Sequence, residues 1–381
     1  MQQRIWLSLA HMGGKEQAFI QEAFDTNWVV PLGPNVDGFE ADLEKYLQVR
    51  NKTIAALCSG TAAIHLGLLL AGVEKGDEVI CQSFTFSASC NPIVYLGATP
   101  VFVDSEKDTW NMDPALLREA IEDRIKKTGR KPKAIVPVHL YGMPAKMDEI
   151  MAIANQYGIP VVEDAAEALG STYKGRPCGT WGRFGILSFN GNKMITTSGG
   201  GALICPDEEN CRKAIFYATQ AREPYPYYQH MQIGYNYRLS NICAGIGRGQ
   251  MLVLDEHIAR RRQIQRMYRE AINPIPGCRI MDNPSADFNS NFWLSCILVD
   301  KDKAGFSAEE LRLYLESQNI ESRRLWKPMH LQPVFAHVPS YTHGISDAFF
   351  ETGLCLPSGS SLTEEEIQRV ISCIQHITGR N

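Results

Sequence analysis

Short apolar runs alternate with amphipathic stretches along the first two-thirds of the chain. The short runs predict strands at 78–81, 100–104, 134–138, 160–163, 185–189 and 201–205. Helical patterns fall between them at 61–71, 114–127 and 145–157. Asp113-Pro114 is a typical helix start, and Gly158 with Pro160 beyond it is a typical helix stop. Such alternation favours an α/β fold with a mainly parallel sheet and helices on both faces.

The last third of the chain is organised differently. A helical pattern from about Ser240 to Ala271 predicts one long helix that leads into a second region. Capping boxes at 307–310 and 363–366 predict the starts of two further helices. Strands are predicted at 292–299 and 322–326. This order indicates a small α+β domain at the C-terminal end.

Length and charge narrow the classes of protein that fit. A chain of 381 residues is long enough for two domains, which we place at 1–245 (large) and 246–381 (small). The net charge of -4 at pH 7 gives no reason to expect a nucleic-acid partner. No window approaches eighteen consecutive apolar residues, so we expect no membrane span. The N-terminal sequence 1–6 lacks the charged-then-apolar layout of a signal peptide, and we therefore expect a cytoplasmic protein.

The cysteines and histidines give no sign of a metal site or a disulfide framework. Eleven cysteines are scattered without CxxC pairs, and Cys58, Cys205 and Cys243 lie in apolar runs. Nine histidines are equally dispersed, without an HExxH spacing. The pattern favours reduced, buried thiols and argues against metal catalysis.

An acid and a lysine follow two of the predicted strands. Asp164 ends the apolar run that begins at Ile159, and Lys193 follows the run at 185–189 in a setting of Ser, Asn and Gly. Open α/β sheets place their chemistry at strand ends. A lysine there can form a Schiff base with an aldehyde cofactor, and a carboxylate can pair with a pyridinium nitrogen. Either residue alone is more often an ordinary surface charge, so the surrounding motifs must decide.

Further polar motifs could complete such a site. Ser-Gly-Thr-Ala at 59–62 stands at a predicted helix N-terminus, where backbone N–H groups suit a phosphate. Phe86 follows a predicted strand and could stack on a flat ring, while Ser188 and Asn190 could hold a phosphate near the lysine. Singly, each also fits an ordinary cap, core or loop residue. Their combination favours a cofactor site.

Taken together, these motifs resemble the DegT/DnrJ/EryC1/StrS family of pyridoxal-phosphate-dependent sugar aminotransferases of fold type I. The resemblance spans essentially the whole chain. It rests on Trp-Val-Val-Pro-Leu-Gly at 28–33, Ser-Gly-Thr-Ala at 59–62, Glu-Asp-Ala-Ala at 163–166, Ser-Phe-x-x-x-Lys at 188–193, Gly-Tyr-Asn-Tyr-Arg-Leu-Ser-Asn at 234–241 and Cys-Leu-Pro-Ser-Gly at 355–359. It implies a large domain with a mainly parallel sheet of seven strands and a small C-terminal α+β domain.

The resemblance also implies a cofactor, pyridoxal 5'-phosphate, and a set of residues that bind it. Lys193 and Asp164 would be catalytic, the first as the residue that holds the cofactor and shuttles a proton, the second as the partner of the pyridine nitrogen. The implied cofactor-binding residues are Ser59, Gly60, Thr61, Phe86, Asp164, Glu167, Ser188, Lys193 and Asn236. Asn236 would reach the site of the neighbouring subunit in a homodimer with composite sites. Glu167 stands where many relatives carry Gln or His, which leaves its role open.

A finer set of motifs is similar to one branch of the family. These motifs are His-Leu-Tyr-Gly at 139–142, Asp-Ala-Ala-Glu-Ala-Leu-Gly at 164–170, Asn-Gly-Asn-Lys at 190–193, Thr-Gln-Ala-Arg-Glu at 219–223 and Leu-Trp-Lys-Pro-Met-His at 325–330. That branch aminates a UDP-linked 4-keto-6-deoxy-N-acetylhexosamine on the way to bacillosamine-type sugars, with L-glutamate as the amino donor. Candidate substrate-binding residues are Trp28, Asn190, Arg222, Arg238, Trp326 and His330.

Three alternatives remain at this point. The first is transfer to C3 and the second is a dTDP- or GDP-linked keto sugar as substrate. The third is a non-catalytic regulatory protein of the same fold, since a fold does not imply a function. The joint presence of lysine, acid and phosphate contacts disfavours this last alternative.

Overall fold

The computed structural model describes residues 3–378, which form thirteen α-helices and fifteen β-strands. The helices are α1 (Glu16–Asp25), α2 (Pro34–Leu47), α3 (Gly60–Leu70), α4 (Asn91–Tyr95), α5 (Pro114–Thr128), α6 (Met147–Tyr157), α7 (Glu208–Ala218), α8 (Asn241–Met251), α9 (Leu254–Ile272), α10 (Lys301–Ala304), α11 (Ala308–Ser317), α12 (Ile345–Thr352) and α13 (Glu364–Ile377). The strands are β1 (Ile54–Leu57), β2 (Glu78–Gln82), β3 (Thr99–Val103), β4 (Ala134–Val136), β5 (Val162–Asp164), β6 (Thr172–Tyr173), β7 (Arg176–Pro177), β8 (Phe184–Ser188), β9 (Gly201–Ile204), β10 (Cys278–Ile280), β11 (Phe288–Asn289), β12 (Ser295–Val299), β13 (Arg323–Arg324), β14 (Ser340–Tyr341) and β15 (Gly353–Leu356).

The predicted mainly parallel sheet is confirmed. Two ladders, β1-β9-β8-β5 and β14-β3-β2-β4, meet where single bridges join Ile135 to Val161 and Val138 to Asp164. The strand β9 runs antiparallel to both of its neighbours, while the other pairs in this sheet are parallel. Seven strands of this sheet come from the first 204 residues, and β14 is added at the edge from the C-terminal region.

Both faces of this sheet are covered, because its side chains alternate between two apolar clusters. Ile80 and Val161 belong to one cluster, and their neighbours Val79 and Val162 belong to the other. A period of two is the pattern of a strand that is buried on both sides. The sheet is therefore a rigid central layer whose strand ends can carry a site.

Local sequence signals set several helix ends as expected. The Asp113 side chain accepts a hydrogen bond from the backbone N–H of Ala115 (2.8 Å) at the start of α5. Gly158 adopts a left-handed conformation at the end of α6. The capping boxes that open α11 and α13 are both formed, at Ser307 and at Thr363. These signals could be read correctly because each acts within a few residues.

The single long helix predicted at 240–271 was wrong, because the chain breaks there into α8 and α9. Glycines let α8 lie very close to the N-terminal helices: a Cβ at Gly249 would stand 2.7 Å from the backbone nitrogen of Glu16. The helix α9 packs instead against α13 and the strand β10. The two helices have different packing partners and therefore run in different directions. A pattern of local helix propensity carries no information about such a change of direction.

The C-terminal region has its own antiparallel sheet, in the order β10-β12-β15-β13, and its own apolar core. Many contacts tie it to the rest of the chain, and two of them are between backbone segments far apart in sequence. Ile5 forms a bridge with Ile320, and β14 pairs with β3. The domain boundary at residue 245 stays a prediction, and residues 1–2 and 379–381 of the two predicted domains lie outside the described residues.

All eleven cysteines have free thiols in the described chain, and eight of them are buried. Within residues 3–378, no helix is both long enough and apolar enough to cross a membrane.

Candidate active site

A cavity of about 660 Å³ lies at the carboxyl ends of β1, β5 and β8, and the C-terminal region closes one side of it. Its walls include most of the residues that the sequence singled out. These are Ser59, Gly60, Thr61, Phe86, Asp164, Glu167, Ser188, Asn190, Lys193 and Trp326. Residues separated by more than 250 positions therefore meet in one enclosure.

Asp164 is the last residue of β5 and is almost fully buried. Its Oδ2 accepts a hydrogen bond from the Ser89 hydroxyl (2.6 Å), and its Oδ1 accepts one from the backbone N–H of Ala166 (3.1 Å). Ser89 in turn shares a hydrogen bond of 2.7 Å with the Thr85 hydroxyl. This chain of contacts fixes the carboxylate of Asp164 at the cavity wall.

The neighbouring acid, Glu163, points to the other face of the strand and has a different task. Its carboxylate accepts hydrogen bonds from the backbone N–H groups of Gly179, Trp181 and Gly182, at 2.5–2.8 Å. His139 Nε2 lies 2.7 Å from the same carboxylate. The Glu163 carboxylate is thus hydrogen-bonded within the fold, and Asp164 is the acid of the pair that faces the cavity.

The N-terminus of α3 forms a second wall. The Ser59 hydroxyl caps this helix by accepting a hydrogen bond from the Ala62 N–H (3.0 Å). The helix end is pressed against the end of β8, since a Cβ at Gly60 would stand only 3.1 Å from Ser188 Cβ. A Cβ at Gly201 would collide with the Gly60 nitrogen at 2.4 Å. Glycines here create a close approach of backbone N–H groups and a serine, which suits an anion.

Lys193 lies on the loop after β8, with its Nζ inside the cavity. Nζ donates a hydrogen bond to Glu167 Oε1 (3.1 Å) and lies 4.1 Å from the centre of the Trp293 ring. Glu167 Oε2 accepts a hydrogen bond from the backbone N–H of Tyr141 (2.6 Å). Burial raises the pKa of Glu167 above its ordinary value, although Lys193 and the Tyr141 N–H oppose this effect.

Aromatic rings form another part of the cavity wall. Phe86 is 55% exposed, which is unusual for a phenylalanine beside a core strand. Its ring lies 5.5 Å from that of Trp326, and Trp326 lies 5.0 Å from Tyr141. An exposed ring in a cavity offers a surface on which a flat aromatic ligand can stack.

Five predicted residues lie outside this cavity of the single chain. Asn236 is exposed, and Arg222 lies over the ring of Tyr228. Arg238 forms an ion pair with Glu40 and donates a hydrogen bond to the Ala56 carbonyl (2.9 Å). The remaining two are Trp28, which is 38% exposed, and His330, which contacts Ser83 and Asp347.

Sequence reasoning missed several residues of the wall. Ser89 and Thr85 could have been found from their spacing of four after a strand, which places two hydroxyls on one turn. Trp293, Arg323 and Arg324 come from the C-terminal region and carry no local signal of their position. Only the packing of that region against the sheet brings them to the lysine.

The residues of this cavity fit pyridoxal phosphate. The close glycine approach at the N-terminus of α3 provides N–H donors for a phosphate, and Phe86 offers a ring face. Asp164 supplies a fixed anion, and Lys193 supplies an amine in the same enclosure. An anion, an amine, a phosphate cradle and an aromatic face are the groups that this cofactor requires.

Comparisons with known proteins agree with this chemistry. The family model described as "DegT/DnrJ/EryC1/StrS aminotransferase family" matches residues 11–375. EpsN of Bacillus subtilis (strain 168), which is named as a pyridoxal phosphate-dependent aminotransferase, is 51% identical over 381 residues, or 99% of this chain and 96% of EpsN. GDP-perosamine synthase of Escherichia coli O157:H7 is 37% identical over 354 residues, or 93% of each chain. The PLP form of Spr1654 from Streptococcus pneumoniae, named as a sugar aminotransferase, has a TM-score of 0.89 at 27% identity, over 99% of both chains.

Proposed function

Because the chain belongs to the DegT/DnrJ/EryC1/StrS aminotransferase family, we propose that it transfers an amino group from L-glutamate to C4 of a UDP-linked 4-keto-6-deoxy-N-acetylhexosamine. The product would be a UDP-linked 4-amino-4,6-dideoxy sugar. In coarser terms, the protein is an enzyme, a nucleotide-sugar aminotransferase that depends on pyridoxal phosphate. The observation that carries the proposal is the meeting of Lys193, Asp164 and the N-terminus of α3 in one cavity.

Each residue of the cavity has a defined task in this proposal. When bound, pyridoxal phosphate supplies an electron sink for the carbon that carries the amino group. Gly60, Thr61 and Ser188 bind its phosphate, and Phe86 packs on its ring. Asp164 holds a negative charge at the ring nitrogen, and the hydrogen bond from Ser89 Oγ keeps that charge in place.

Lys193 has two tasks. Its Nζ would hold the cofactor. Once released, Nζ would take a proton from the amino-bearing carbon of the substrate and return that proton within the same site. The amino donor and the keto sugar use this site in turn, so the kinetics should be of the ping-pong type. The small C-terminal region restricts water at Nζ, since Trp293 covers it from one side.

The choice of sugar nucleotide rests on similarity. Motifs at 190–193 and 325–330 support the UDP-linked N-acetylhexosamine branch, and two of their members, Asn190 and Trp326, line the cavity. A GDP-linked keto sugar is the second candidate, because GDP-perosamine synthase is 37% identical to the chain over 93% of its length. Among the remaining candidates are transfer to C3 and a dTDP-linked sugar.

A homodimer with shared sites is part of the proposal. Asn236 lies outside the cavity of its own chain, and its surroundings carry exposed apolar side chains. Ile233 is 82% exposed and Tyr228 is 77% exposed, values that are costly for a monomer in water. A second copy that covers this surface would bring Asn236 to the neighbouring cavity.

A substrate panel tests the proposal. The purified enzyme is incubated with L-glutamate and, in separate reactions, with UDP-, dTDP- and GDP-linked 4-keto-6-deoxy sugars, and products are identified by mass spectrometry and NMR. We expect an amino group at C4 of the UDP-linked N-acetylhexosamine and much slower turnover of the other two nucleotides. Faster turnover of the GDP-linked sugar would replace the proposed substrate with the second candidate.

A further inference from the structure

Glu167 and Trp293 stand on two sides of the Lys193 ammonium group. Glu167 Oε1 accepts a hydrogen bond from Nζ at 3.1 Å, and the Trp293 ring centre lies 4.1 Å from the same atom. Both partners are nearly excluded from solvent, with Glu167 4% and Trp293 2% exposed. A carboxylate and an aromatic face are two groups that bind an ammonium ion well, and both act more strongly when water is excluded.

One residue fixes both sides of this arrangement. Asn291 is fully buried, and its side-chain amide donates hydrogen bonds to the backbone carbonyl groups of Glu167 (2.8 Å) and Leu169 (2.9 Å). Its Oδ1 accepts a hydrogen bond from the backbone N–H of Trp293 (2.9 Å). The Trp293 indole N–H also donates to the carbonyl group of Asn192, next to Lys193 (2.7 Å). The arrangement is therefore built rigidly into the fold.

We propose that the Glu167 carboxylate and the ring face of Trp293 stabilise the ammonium form that Lys193 acquires when its Nζ, released from the cofactor, takes up the substrate proton. This inference rests on the proposed role of Lys193 as the cofactor lysine. Glu167 and Trp293 act through Lys193 and are positioning residues.

The proton step that they support is simple. A C–H bond of the amino-bearing carbon breaks, an N–H bond forms at Nζ, and the electron pair of the C–H bond remains with the substrate. The lysine changes from a neutral amine to an ammonium ion in this step. A carboxylate at hydrogen-bond distance stabilises the ammonium ion much more than it stabilises the amine. A neutral Gln or His at the same position would lack this charge.

The other ionisable groups around Glu167 agree with this assignment. Burial raises the pKa values of Tyr141 and Cys296 well above their ordinary values, so both are neutral near pH 7. Asp164 is a nearby negative charge that makes an ionised Glu167 costlier. Lys193 is the positive charge that faces it, so Glu167 and Lys193 stabilise each other in their charged forms.

The test measures Lys193 directly, in the full-length protein freed of cofactor with hydroxylamine. Trace amounts of acetic anhydride modify each lysine in proportion to its neutral amine, and mass spectrometry measures the extent for each lysine against pH. Glu167→Gln should raise the acetylation rate of Lys193 at pH 7 by about tenfold or more, because an opposite charge at this distance has been removed. Lys146, which is paired with Asp108 at 2.9 Å, is the internal reference and should not change.

The aromatic side is tested separately. Trp293→Leu should raise the acetylation rate of Lys193 by about 2- to 30-fold, and Trp293→Phe, which keeps a ring face, should raise it less. Equal effects of Leu and Phe would refute the role of the ring. An acetylation profile of Lys193 that is unchanged in Glu167→Gln would refute the role of the carboxylate.

Two further measurements keep the test decisive. If Glu167→Gln does not fold, Glu167→Asp withdraws the carboxylate by one methylene group and should give an intermediate acetylation rate; an unchanged rate would contradict the proposal. Borohydride reduction of the holoenzyme followed by peptide mapping reports independently whether Lys193 holds the cofactor. A label on another lysine would overturn the proposed function, whereas an unchanged acetylation profile overturns only this inference.

Discussion

Replacing Asp164 by asparagine removes one charge and almost no volume from the buried end of β5. The Asn side chain can keep the existing contacts: its oxygen can accept from the Ala166 N–H, and its amide can donate to the Ser89 hydroxyl. Ser89 can then direct its own proton to Thr85, which lies 2.7 Å away. We therefore expect the variant to fold with a free energy of unfolding close to that of the parent.

Catalysis should fall much more than stability. An amide offers no negative charge to the ring nitrogen, so the charge-assisted hydrogen bond that keeps this nitrogen protonated is lost. A bond of this kind contributes roughly 1.5–3 kcal/mol, which corresponds to about a 10- to 100-fold lower rate. The assay is a single turnover of the holoenzyme with L-glutamate, followed by the absorbance of the cofactor, with urea unfolding as the control.

Glu163→Gln is the matched comparison on the same strand. Three backbone N–H groups and His139 are bonded to this carboxylate, and the NH₂ group of glutamine cannot accept from them. We expect a loss of about 1–3 kcal/mol in the free energy of unfolding and little change in the turnover of the folded fraction. Undiminished turnover in Asp164→Asn would refute the reasoning about Asp164.

Lys193→Ala should abolish transamination while leaving the fold intact, as judged by circular dichroism; measurable turnover would contradict this. Mixing inactive Lys193→Ala with an inactive Asn236→Ala protein should restore activity after subunit exchange, because one site of each heterodimer is then intact; no recovery after verified exchange would refute the shared site. Burial beside His11 and Arg261 lowers the pKa of His257 to about 4. As the pH falls, His257 is therefore protonated in the unfolded state before it is protonated in the folded state. Roughly 3 kcal/mol of the free energy of unfolding that is present above pH 6.5 should be lost as the pH falls toward 4. His257→Phe should flatten the dependence of the free energy of unfolding on pH in urea titrations, and an unchanged dependence would exclude His257 as its cause.

The sequence was sufficient to predict helix ends, whose signals are local, and site residues that lie where strand ends converge. Asp164 and Lys193 could be selected because parallel strands bring their carboxyl ends to one edge. The direction of α8 could not be predicted, because it depends on contact between Gly249 and a helix more than 230 residues away. Trp293 was missed for the same reason: its place beside Lys193 depends on the packing of the C-terminal region and on hydrogen bonds through Asn291.

The proposed active site depends above all on the identity of the lysine that holds the cofactor. The purified holoenzyme is reduced with borohydride, digested and analysed by mass spectrometry, which locates the pyridoxyl group on one peptide. We expect the label on Lys193, and we expect Lys193→Ala to take up no label under the same conditions. A label on any other lysine, or a labelled Lys193→Ala protein, would show that Lys193 is not the cofactor lysine.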